Sequence, residues 1–488
     1  MSLGISASKI SEKIAFLVKR ANFFLPGDVY QALKQAQLKE NSRTAATILG
    51  ILLDNALLAK QEMIPICQDT GIDVVFVEIG RELIVKGDLQ EAINEGVARG
   101  TREGFLRASV CDPITRQNSG DNTPAVIHVD VVEGARLKIS VLPKGCGSEN
   151  MSQLKMLPPS AGLDGVMDFV VRCVHSAGPN PCPPGIVGVG IGGTMEMAAL
   201  LAKKAILRPI GQRNKRTDLA DLEKGLLNRI NSLGIGPHGL GGQTTTLSVA
   251  VESFPCHIAS LPVAVNIQCH AARQATAVFE NGQWLDDDGE TLQAGGNGSS
   301  NIFDLMDQVV RVDLPLDPAK AAALRAGQWV RLSGRMLTGR DRTHKRLCEL
   351  IGKGQELPVD LRGQLIYYVG PSPAPPGHVV GAAGPTTSYR MDAYTPEILA
   401  QGVLGLMGKG KRSPEVRQAI MKHGAVYLAT IGGAGAYLSR AIKSARVIAF
   451  EDLGPEAMYE FVVEDFPAVV INDSLGQDYY EMVQSLLK

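Results

Sequence analysis

The segment NPCPPGIVGVGIGGTMEMAALLAKKAIL, residues 180–207, constrains the fold more than any other part of this chain. An apolar run passes through several glycines into a helical pattern, which predicts a strand followed directly by a helix. Gly188, Gly190 and Gly193 spell GxGxxG, a pattern that also occurs in dinucleotide-binding folds. The glycines begin inside the apolar run, however, and no later strand ends in the acidic residue that a ribose requires. We therefore expect the glycines to let strand and helix pack closely, with Thr194 near the helix start.

The first part of the chain combines helical and strand-like runs. Residues 1–62 repeat apolar side chains at helical spacing, as in SEKIAFLVKRANFF and TAATILGILLDNALLAKQ. IDVVFVEIG then predicts a strand, and LQEAINEGVARGTREGFLRAS predicts a helix that carries Arg102 and Arg107. VIHVDVVEGARLKISVLPKG alternates around Glu133 and Gly134, which predicts two strands joined as a hairpin.

An acidic stretch rich in glycine and serine divides the chain. ENGQWLDDDGETLQAGGNGSSN has the composition of an exposed connection. We therefore predict a first domain at residues 1–285, a linker at residues 286–310 and a second domain at residues 311–488. In the second domain, strand-like runs such as QWVRLSG, GQLIYYVG, AVYLATIG and PAVVIND alternate with helices. The predicted fold class is α/β and α+β: a helical N-terminal part with a mixed sheet, followed by an α/β domain.

Charge and cysteine content exclude several classes of function. The chain has 49 basic and 50 acidic side chains, net -1, so nothing favours nucleic acid or an anionic membrane as a partner. Eight cysteines in 488 residues are too few for a dense disulfide framework. The N-terminal sequence carries charges where a signal peptide needs its apolar core, and charges interrupt every long apolar run. We expect a cytoplasmic protein with reduced thiols.

The motif PICQDTG, residues 65–71, places a thiol, an amide, a carboxylate and a hydroxyl in consecutive positions. It lies between two apolar runs, and its turn-forming residues predict a loop. Cys67 could reach a ligand there while Gln68 and Asp69 reach a substrate. A half-buried free cysteine in a turn is the alternative that the motif alone leaves open.

Two further segments carry polar chemistry. In KGCGSEN, residues 144–150, glycines would let the backbone approach an anion, although a simple chain reversal fits equally well. Residues 233–273 contain Cys256-His257 and Cys269-His270, which suit zinc in residue type but lack the short paired spacings of structural zinc sites.

Several motifs occur in an order that resembles a known family. CQDTG, KGCGSEN, CPP before a glycine-rich strand, PCH and QCH resemble the catalytic component of the class I, iron-sulfur-dependent fumarases and L-tartrate dehydratases. SGRMLTGRDRTHKRL, YYVGPSPAPPG, GPTTSYRMD, GKGKR and IGGAGA resemble the smaller component. The resemblance runs from about Met63 to about Asp473, with both components fused in one chain.

The resemblance implies a four-iron, four-sulfur cluster held by Cys67, Cys182 and Cys269. Three protein ligands leave one iron open to act as a Lewis acid. Cys146 departs from family members with glycine at this position, and we expect it near the site without ligating. The cysteines expected to be structural are Cys111, Cys173, Cys256 and Cys348.

The activity implied is reversible hydration of fumarate to L-malate. By the resemblance, Asp69 donates the proton to the departing hydroxyl and Thr386 is the candidate base. The residues that it assigns to substrate binding are Gln68, Arg107, Gly147, His257, Arg340, Arg390 and Lys409. It also implies a homodimer in which His257 reaches the site of the partner subunit, and a second domain that swivels to close the cleft.

Basic motifs allow a simpler interpretation at some positions. GRDRTHKR could be a solvated helical face and GKGKR a surface turn. The resemblance assigns Arg340 and Lys409 to the site and leaves Arg342, Lys411 and Arg412 as surface charge.

Other functions stay open. Within the family, L(+)-tartrate and mesaconate are alternative substrates that pocket shape would select. A dehydrogenase would use the GxGxxG segment or IGGAGA. A zinc hydrolase would use Cys256, His257, Cys269 and His270.

Overall fold

The computed structural model describes residues 4–286 and 309–485, called here the N-terminal half and the C-terminal half. The predicted linker lies almost wholly outside the described residues, so the proposed domain limits stay a prediction. The helices are α1 (Ala7–Phe23), α2 (Gly27–Lys39), α3 (Arg43–Glu62), α4 (Leu89–Glu103), α5 (Cys146–Glu149), α6 (Gly162–Ala177), α7 (Met195–Ala205), α8 (Thr217–Asn231), α9 (Pro318–Ala323), α10 (Asp341–Gly352), α11 (Thr395–Ala400), α12 (Pro414–Lys422), α13 (Gly435–Ser439) and α14 (Tyr479–Ser485).

The strands within the described residues form four sheets. The strands are β1 (Gly4–Ser6), β2 (Ile72–Gly80), β3 (Ile84–Lys86), β4 (Val126–Val132), β5 (Leu137–Lys144), β6 (Gln153–Leu157), β7 (Gly185–Gly192), β8 (Thr246–Phe254), β9 (Leu261–Gln268), β10 (Ala275–Glu280), β11 (Gln283–Asp286), β12 (Val310–Leu314), β13 (Trp329–Thr338), β14 (Leu365–Tyr367), β15 (Gly405–Gly408), β16 (Val426–Ala429), β17 (Ile442–Ala449) and β18 (Met458–Asn472). Their mixture with helices confirms the predicted α/β and α+β class.

The helical start of the chain is as predicted. Ser6 caps α1 by accepting from the amide of Lys9, and Ser42 caps α3 by accepting from the amide of Ala45. At the other end of α3, Met63 adopts a left-handed conformation with φ 51°, which stops the helix and leads into the Cys67 loop.

The predicted hairpin of β4 and β5 is wrong. The sheet order is β11-β10-β5-β2-β4, so β2 lies between the two strands, parallel to β4 and antiparallel to β5. The connection between them passes across the end of β2, where the amide of Gly80 donates to Arg136 O and the amide of Glu82 donates to Gly134 O. Strand alternation predicted both strands but contained no information about the third.

The glycines of β7 pack a helix against the sheet. β7 lies between β8 and β9, and α7 covers it. A Cβ added to Gly188 would lie 2.1 Å from Ala202 O, and one added to Gly190 would lie 2.0 Å from Ala198 O. These contacts confirm that the GxGxxG pattern here serves close packing.

The sheet of the C-terminal half has the order β12-β13-β14-β15-β16-β18-β17. Because β18 also pairs with β13, strands β13, β14, β15, β16 and β18 close on themselves. The strand-like runs predicted in this half are all present. No helix in residues 4–286 or 309–485 is both long and apolar enough to cross a membrane.

The two halves share a hydrophobic core. One buried cluster contains Ile48 and Leu52 of α3 together with Tyr427 and Ile431 of the C-terminal half. Asn55 of α3 accepts a hydrogen bond from the Tyr437 amide at 2.8 Å. The loop that follows α3 therefore faces the C-terminal half directly.

Candidate active site

A cavity between the two halves collects almost all of the predicted site residues. The strand ends and loops around the cavity come from both the N-terminal half and the C-terminal half. The predicted site residues that line the cavity are Cys67, Gln68, Asp69, Arg107, Gly147, Cys182, Cys269, Arg340, Thr386, Arg390 and Lys409. His257 is the predicted site residue that does not line it.

The Cys67 loop is fixed from both sides. The amide of Ile66 donates to Asn22 O at 3.0 Å, so the loop is attached to α1. Ile66 O accepts from the Gly435 amide at 3.0 Å and from Asn55 Nδ2 at 3.1 Å. A Cβ on Gly435 would lie 3.1 Å from the Cα of Cys67. Glycine at this position lets the C-terminal half contact the loop closely.

Cys182 and Cys269 line the same cavity as this loop. Cys182 precedes β7 in a left-handed conformation with φ 58°, and Cys269 directly follows β9. Lys409 Nζ donates to Cys182 Sγ at 2.7 Å. Burial raises the pKa of Cys182 to about 11, although Lys409 acts in the opposite direction. Burial likewise raises the pKa of Cys67.

The three thiols fit an iron-sulfur cluster in chemistry and placement. They line one cavity, they interact electrostatically, and none is in a disulfide. Thiolates are the usual ligands of such clusters, and each of the three would bind a different iron, so they need not converge on one point. Within the described ranges, no three His, Cys, Asp or Glu side chains converge as the ligands of one ion must.

The residues named for zinc do not form a zinc site. Cys256 and His257 are exposed in the loop between β8 and β9. Cys269 lines the cavity, and His270 is buried with Nε2 2.8 Å from Gly432 O. Cysteine and histidine are the residue types that bind zinc, but the structure does not bring these four side chains together.

Asp69 is surrounded by donors and cations. Its Oδ1 accepts from Arg107 Nη2 at 2.8 Å, and its Oδ2 accepts from the amide of Cys146 at 3.0 Å. Burial raises the pKa of this carboxyl, but Arg107, Arg273 and other cations outweigh burial and hold the pKa at about 2. In this structure Asp69 is a carboxylate at neutral pH.

Arg107 lies beyond the helix that was predicted to carry it. Helix α4 ends at Glu103, and Phe105 turns the chain with a φ of 48°. Thr70 then fixes the Arg107 main chain, since its Oγ1 accepts from the Arg107 amide at 3.1 Å and donates to Arg107 O at 2.9 Å. Arg107 Nη1 donates to Gly370 O at 2.9 Å, which attaches it to the C-terminal half. Burial and the nearby Arg340 lower the pKa of Arg107.

Two more guanidinium groups come from the C-terminal half. Arg340 stands at the start of α10 with Nη2 3.4 Å from Glu456 Oε1. Arg390 donates through Nε and Nη2 to both oxygens of Asp341 at 3.0 and 2.5 Å. Each carboxylate orients a guanidinium whose other N–H groups are available for a ligand.

Gln68, Thr386 and Gly147 complete the lining. Gln68 Nε2 donates to Pro385 O at 3.2 Å, which places the amide beside the buried Thr386. A Cβ on Gly384 would lie 2.4 Å from Gln68 Oε1. A Cβ on Gly147 would lie 2.9 Å from Lys409 Nζ.

The KGCGSEN loop is supported from below by a buried lysine. Lys144 is fully buried and donates to Ser148 Oγ at 2.9 Å and to Ile267 O at 2.8 Å. The side chain of Cys146 is exposed, and its amide faces Asp69. That Cys146 lies near the site without ligating a metal stays a prediction.

Arg273 is a lining residue that the sequence did not reveal. Its side chain is 1% exposed, and its Nη2 donates to the main-chain oxygen of Asp69 at 2.6 Å. Nη1 reaches Asn22 of α1, more than two hundred residues away in sequence. The segment QCHAARQ contains this arginine, but nothing local identifies its partners.

The surface interpretation of the GKGKR arginine is wrong. Arg342 is exposed as predicted and Lys411 is half-buried, whereas the side chain of Arg412 is 0% exposed. Arg412 donates to Asp392 Oδ1 at 2.8 Å and to Thr395 Oγ1 at 2.7 Å. A buried cation is tolerated here because an anion and hydroxyl groups surround it.

His257 lies away from the cavity of its own chain. It is exposed, and its Nδ1 accepts from the amide of Ala259 at 3.1 Å. The exposed side chain is free to meet another molecule, and a role in a partner subunit stays a prediction.

Two family models match the chain. The model described as fumarate hydratase (fumerase) matches residues 11–278. The model described as fumarase C-terminus matches residues 286–483. The matches account for both halves that enclose the cavity.

Relatives match along the same lengths. A putative fumarate hydratase class I of Geobacillus stearothermophilus is 33% identical over 504 aligned positions, covering 98% of this chain and 96% of that protein. The aerobic class I fumarate hydratase of Escherichia coli K12 is 30% identical over 511 positions, covering 99% of this chain and 90% of that protein. A putative L(+)-tartrate dehydratase subunit alpha of Methanocaldococcus jannaschii is 46% identical over 276 positions, covering 55% of this chain and 96% of that protein. The chain therefore belongs to the class I fumarate hydratase family of hydro-lyases, with the two components of the family joined in a single polypeptide.

Proposed function

We propose that this chain reversibly hydrates fumarate to L-malate. The observation that carries the proposal is the cavity itself, where three thiols, one carboxylate, three hydroxyls including that of Thr386, and several cations meet from both halves. Addition of water across a double bond between two carboxylates needs a proton acceptor, a proton donor and cations. Each of these is present in the lining.

Cys67, Cys182 and Cys269 would hold the four-iron, four-sulfur cluster of the family. When bound, the cluster supplies an iron without a protein ligand, which acts as a Lewis acid on the hydroxyl and a carboxylate of the substrate. Binding requires the thiols to lose their protons, and Lys409 beside Cys182 favours that change.

The cations would bind the two carboxylates of the substrate. Arg107, Arg340 and Arg390 are anchored by protein oxygens, so their remaining N–H groups have fixed directions. A guanidinium can donate two parallel hydrogen bonds to a carboxylate, which a lysine cannot. Lys409 adds a point charge at the end of the cavity near Cys182.

Asp69 and Thr386 would move the protons. In hydration the Asp69 carboxylate would receive a proton from water, and in dehydration its protonated form would give that proton to the departing hydroxyl. A bound dicarboxylate would pair with Arg107, Arg340 and Lys409, cations that outweigh burial and hold the pKa of Asp69 at about 2, so its pKa would rise and make the protonated form accessible. Arg107 and the Cys146 amide hold its two oxygens in place. In hydration the Thr386 hydroxyl would give its proton to the neighbouring carbon and regain one after the product leaves, and in dehydration its deprotonated form would accept the proton from that carbon. Its burial keeps bulk water from that position during the reaction.

We further propose a homodimer in which His257 of the partner subunit contributes to each site. Support comes from the exposed loop that carries His257, where Phe254 is 53% and Ile258 91% exposed. Exposed apolar side chains that are grouped commonly mark a protein contact, and these two are four residues apart in sequence. Swivelling of the C-terminal half stays a prediction.

The test is anaerobic purification with iron and sulfide analysis, followed by assays of fumarate hydration before and after exposure to air. We expect a brown protein with about four irons per chain, active on fumarate and inactivated in air with loss of iron. A colourless protein that takes up no iron or sulfide on anaerobic reconstitution, yet stays active, would reject the cluster and the mechanism based on it.

Dehydration of L(+)-tartrate is the second candidate. It is favoured by the 46% identity to the putative tartrate dehydratase subunit alpha over the N-terminal half. Fumarate, L(+)-tartrate and mesaconate should therefore be compared in the same preparation. The substrate with the highest kcat/KM identifies the activity, since these ligands differ by a hydroxyl or a methyl group.

A further inference from the structure

Arg412 is held between two tyrosine rings. Its guanidinium carbon lies 5.3 Å from the ring centre of Tyr368 and 5.0 Å from that of Tyr427. Asp392 and Thr395 accept its N–H groups. A cation fixed by an ion pair and two aromatic faces gives both rings a defined position.

The hydroxyl of Tyr427 connects this arrangement to the candidate site. Tyr427 Oη lies 2.9 Å from Ser388 Oγ and 2.9 Å from Gly410 O. Ser388 Oγ accepts from the amide of Lys409 at 3.1 Å, and the amide of Ser388 donates to Lys409 O at 2.9 Å. Both main-chain polar groups of Lys409 are therefore bonded to Ser388, and Tyr427 holds the Ser388 hydroxyl and the residue after Lys409.

The Lys409 side chain leaves this anchored main chain through a narrow passage. A Cβ on Gly432 would lie 2.9 Å from Lys409 Cδ, and one on Gly147 would lie 2.9 Å from Nζ. The ammonium then reaches Cys182 Sγ at 2.7 Å. A lysine has a long flexible stem, so the position of Nζ depends on where its main chain starts and which walls enclose it.

We propose that Tyr427 and Ser388 are positioning residues for Lys409, with Arg412 fixing the Tyr427 ring. The inference rests on the proposed function, in which Lys409 is a substrate-binding cation. Neither positioning residue lines the cavity, and both act through the Lys409 main chain. Loss of the Tyr427 hydroxyl releases Ser388 Oγ and Gly410 O together, which lets the ammonium leave its place beside Cys182 Sγ.

Tyr427→Phe is the test, with Tyr368→Phe as its matched control. Both substitutions remove one buried tyrosine hydroxyl and keep a ring against Arg412. The two hydroxyls have different partners. The Tyr368 hydroxyl lies 3.3 Å from Arg412 Nη1, whereas the Tyr427 hydroxyl is the one bonded to Ser388. Ser388→Ala, which removes the acceptor of the Lys409 amide, provides a second variant should Tyr427→Phe fold poorly.

Three measurements are made on each protein. Amide hydrogen exchange of the anaerobically purified protein reports on the peptide around Lys409. Iron content reports on cluster assembly, and anaerobic kinetics on fumarate give KM and kcat separately. For Tyr427→Phe we expect faster exchange confined to residues 386–391 and 403–413, wild-type iron content, and a kcat/KM lower by roughly tenfold to a hundredfold, mainly through KM. For Tyr368→Phe we expect exchange around Lys409 and kcat/KM close to wild type.

The outcomes separate the two proposals. Equal exchange and equal kcat/KM in the two variants would overturn the positioning role, as would exchange that rises throughout the C-terminal half. If the wild-type protein with a full cluster hydrates no fumarate, the proposed function fails. Hydrogen exchange at the Lys409 peptide then still decides whether Tyr427 holds Lys409.

Discussion

The two halves of the chain contribute different chemistry to one cavity. The N-terminal half provides three thiols and the Asp69 carboxylate, whereas the C-terminal half provides the Thr386 hydroxyl, two guanidinium groups and the Lys409 ammonium. Arg107 and Arg273 are exceptions, since both are cations of the N-terminal half that line the cavity, and Arg107 also donates to Gly370 O of the other half. Thiolates suit an iron-sulfur centre and cations suit carboxylates. The division predicts that metal binding and substrate binding can be altered separately.

Cys182→Ser should have the largest effect. Removing one of three thiolate ligands should lower iron content and reduce fumarate hydration by more than about a hundredfold. Loss of a residue that only hydrogen-bonds a metal ligand already lowers activity by up to about a hundredfold. Iron analysis and anaerobic assays measure both quantities. Cys348→Ser is the matched control, because Cys348 is a half-buried thiol outside the cavity lining. Equal iron contents in the two variants would contradict the ligand assignment.

Arg390→Lys should weaken substrate binding and leave metal binding unchanged. The substitution keeps the charge but loses the fork that binds Asp341 through two N–H groups and leaves others for substrate. We expect wild-type iron content and a rise in KM for fumarate of roughly tenfold to a hundredfold, the value of a charge-assisted hydrogen bond.

The control for that variant is Arg342→Lys, which changes an exposed arginine of the same half. Its KM should match the wild type. A loss of iron in Arg390→Lys, with KM unchanged in the remaining active protein, would show that the two halves are not separable in this way.

Gly432→Ala tests the contact at which the halves meet. A Cβ there would lie 2.3 Å from Cys182 Sγ and 2.9 Å from Lys409 Cδ, so one of these groups must move. We expect a loss of about 2 kcal/mol in the free energy of unfolding, as for other overpacked sites, together with lower iron content. Gly352→Ala is the control, since a Cβ on Gly352 meets nothing within 4 Å. Denaturation curves that coincide for the two variants would contradict this contact.

The sequence correctly predicted helices and strands that depend on the residues of one short segment. The helices before Met63, the strand after Gly71 and the glycine-rich strand and helix were all foreseen, because apolar periodicity and turn residues act locally. The predicted site residues were identified through multi-residue motifs, and the structure brings all of them except His257 into one cavity.

What the sequence did not predict depends on distant partners. The β4–β5 hairpin is wrong because β2, from an earlier segment, pairs with both strands. Arg273 gains its place from Asn22 and the Asp69 carbonyl, and Arg412 from Asp392 and two tyrosine rings. Most charged residues are exposed, so a sequence alone predicts exposure for an arginine whose burial depends on distant partners.

The two halves also differ in how they bury an ionisable residue behind the site. In the C-terminal half, Arg412 is surrounded by Asp392 and hydroxyl groups. In the N-terminal half, Asp73 of β2 is 1% exposed, and its Oδ2 accepts from Asn122 Nδ2 at 3.0 Å while Oδ1 has no partner. Burial raises the pKa of Asp73 to about 7, against the smaller opposing effects of Asn122 and Arg273. The buried acid is therefore incompletely compensated.

Asp73→Asn should make the N-terminal half less sensitive to pH. In the wild type the folded state keeps the Asp73 proton until about pH 7, whereas the unfolded chain loses it near its ordinary pKa of 3.8. The folded state thus binds more protons between these values, and stability falls as pH rises through this window before levelling off above it. Between pH 6 and 8 the stability of the variant relative to the wild type should rise by about 1.4 kcal/mol. Asparagine also leaves an amide unpaired, but that cost is the same at every pH. Urea denaturation across this range measures the difference, and parallel stability curves would mean that Asp73 is ionised in the folded protein throughout.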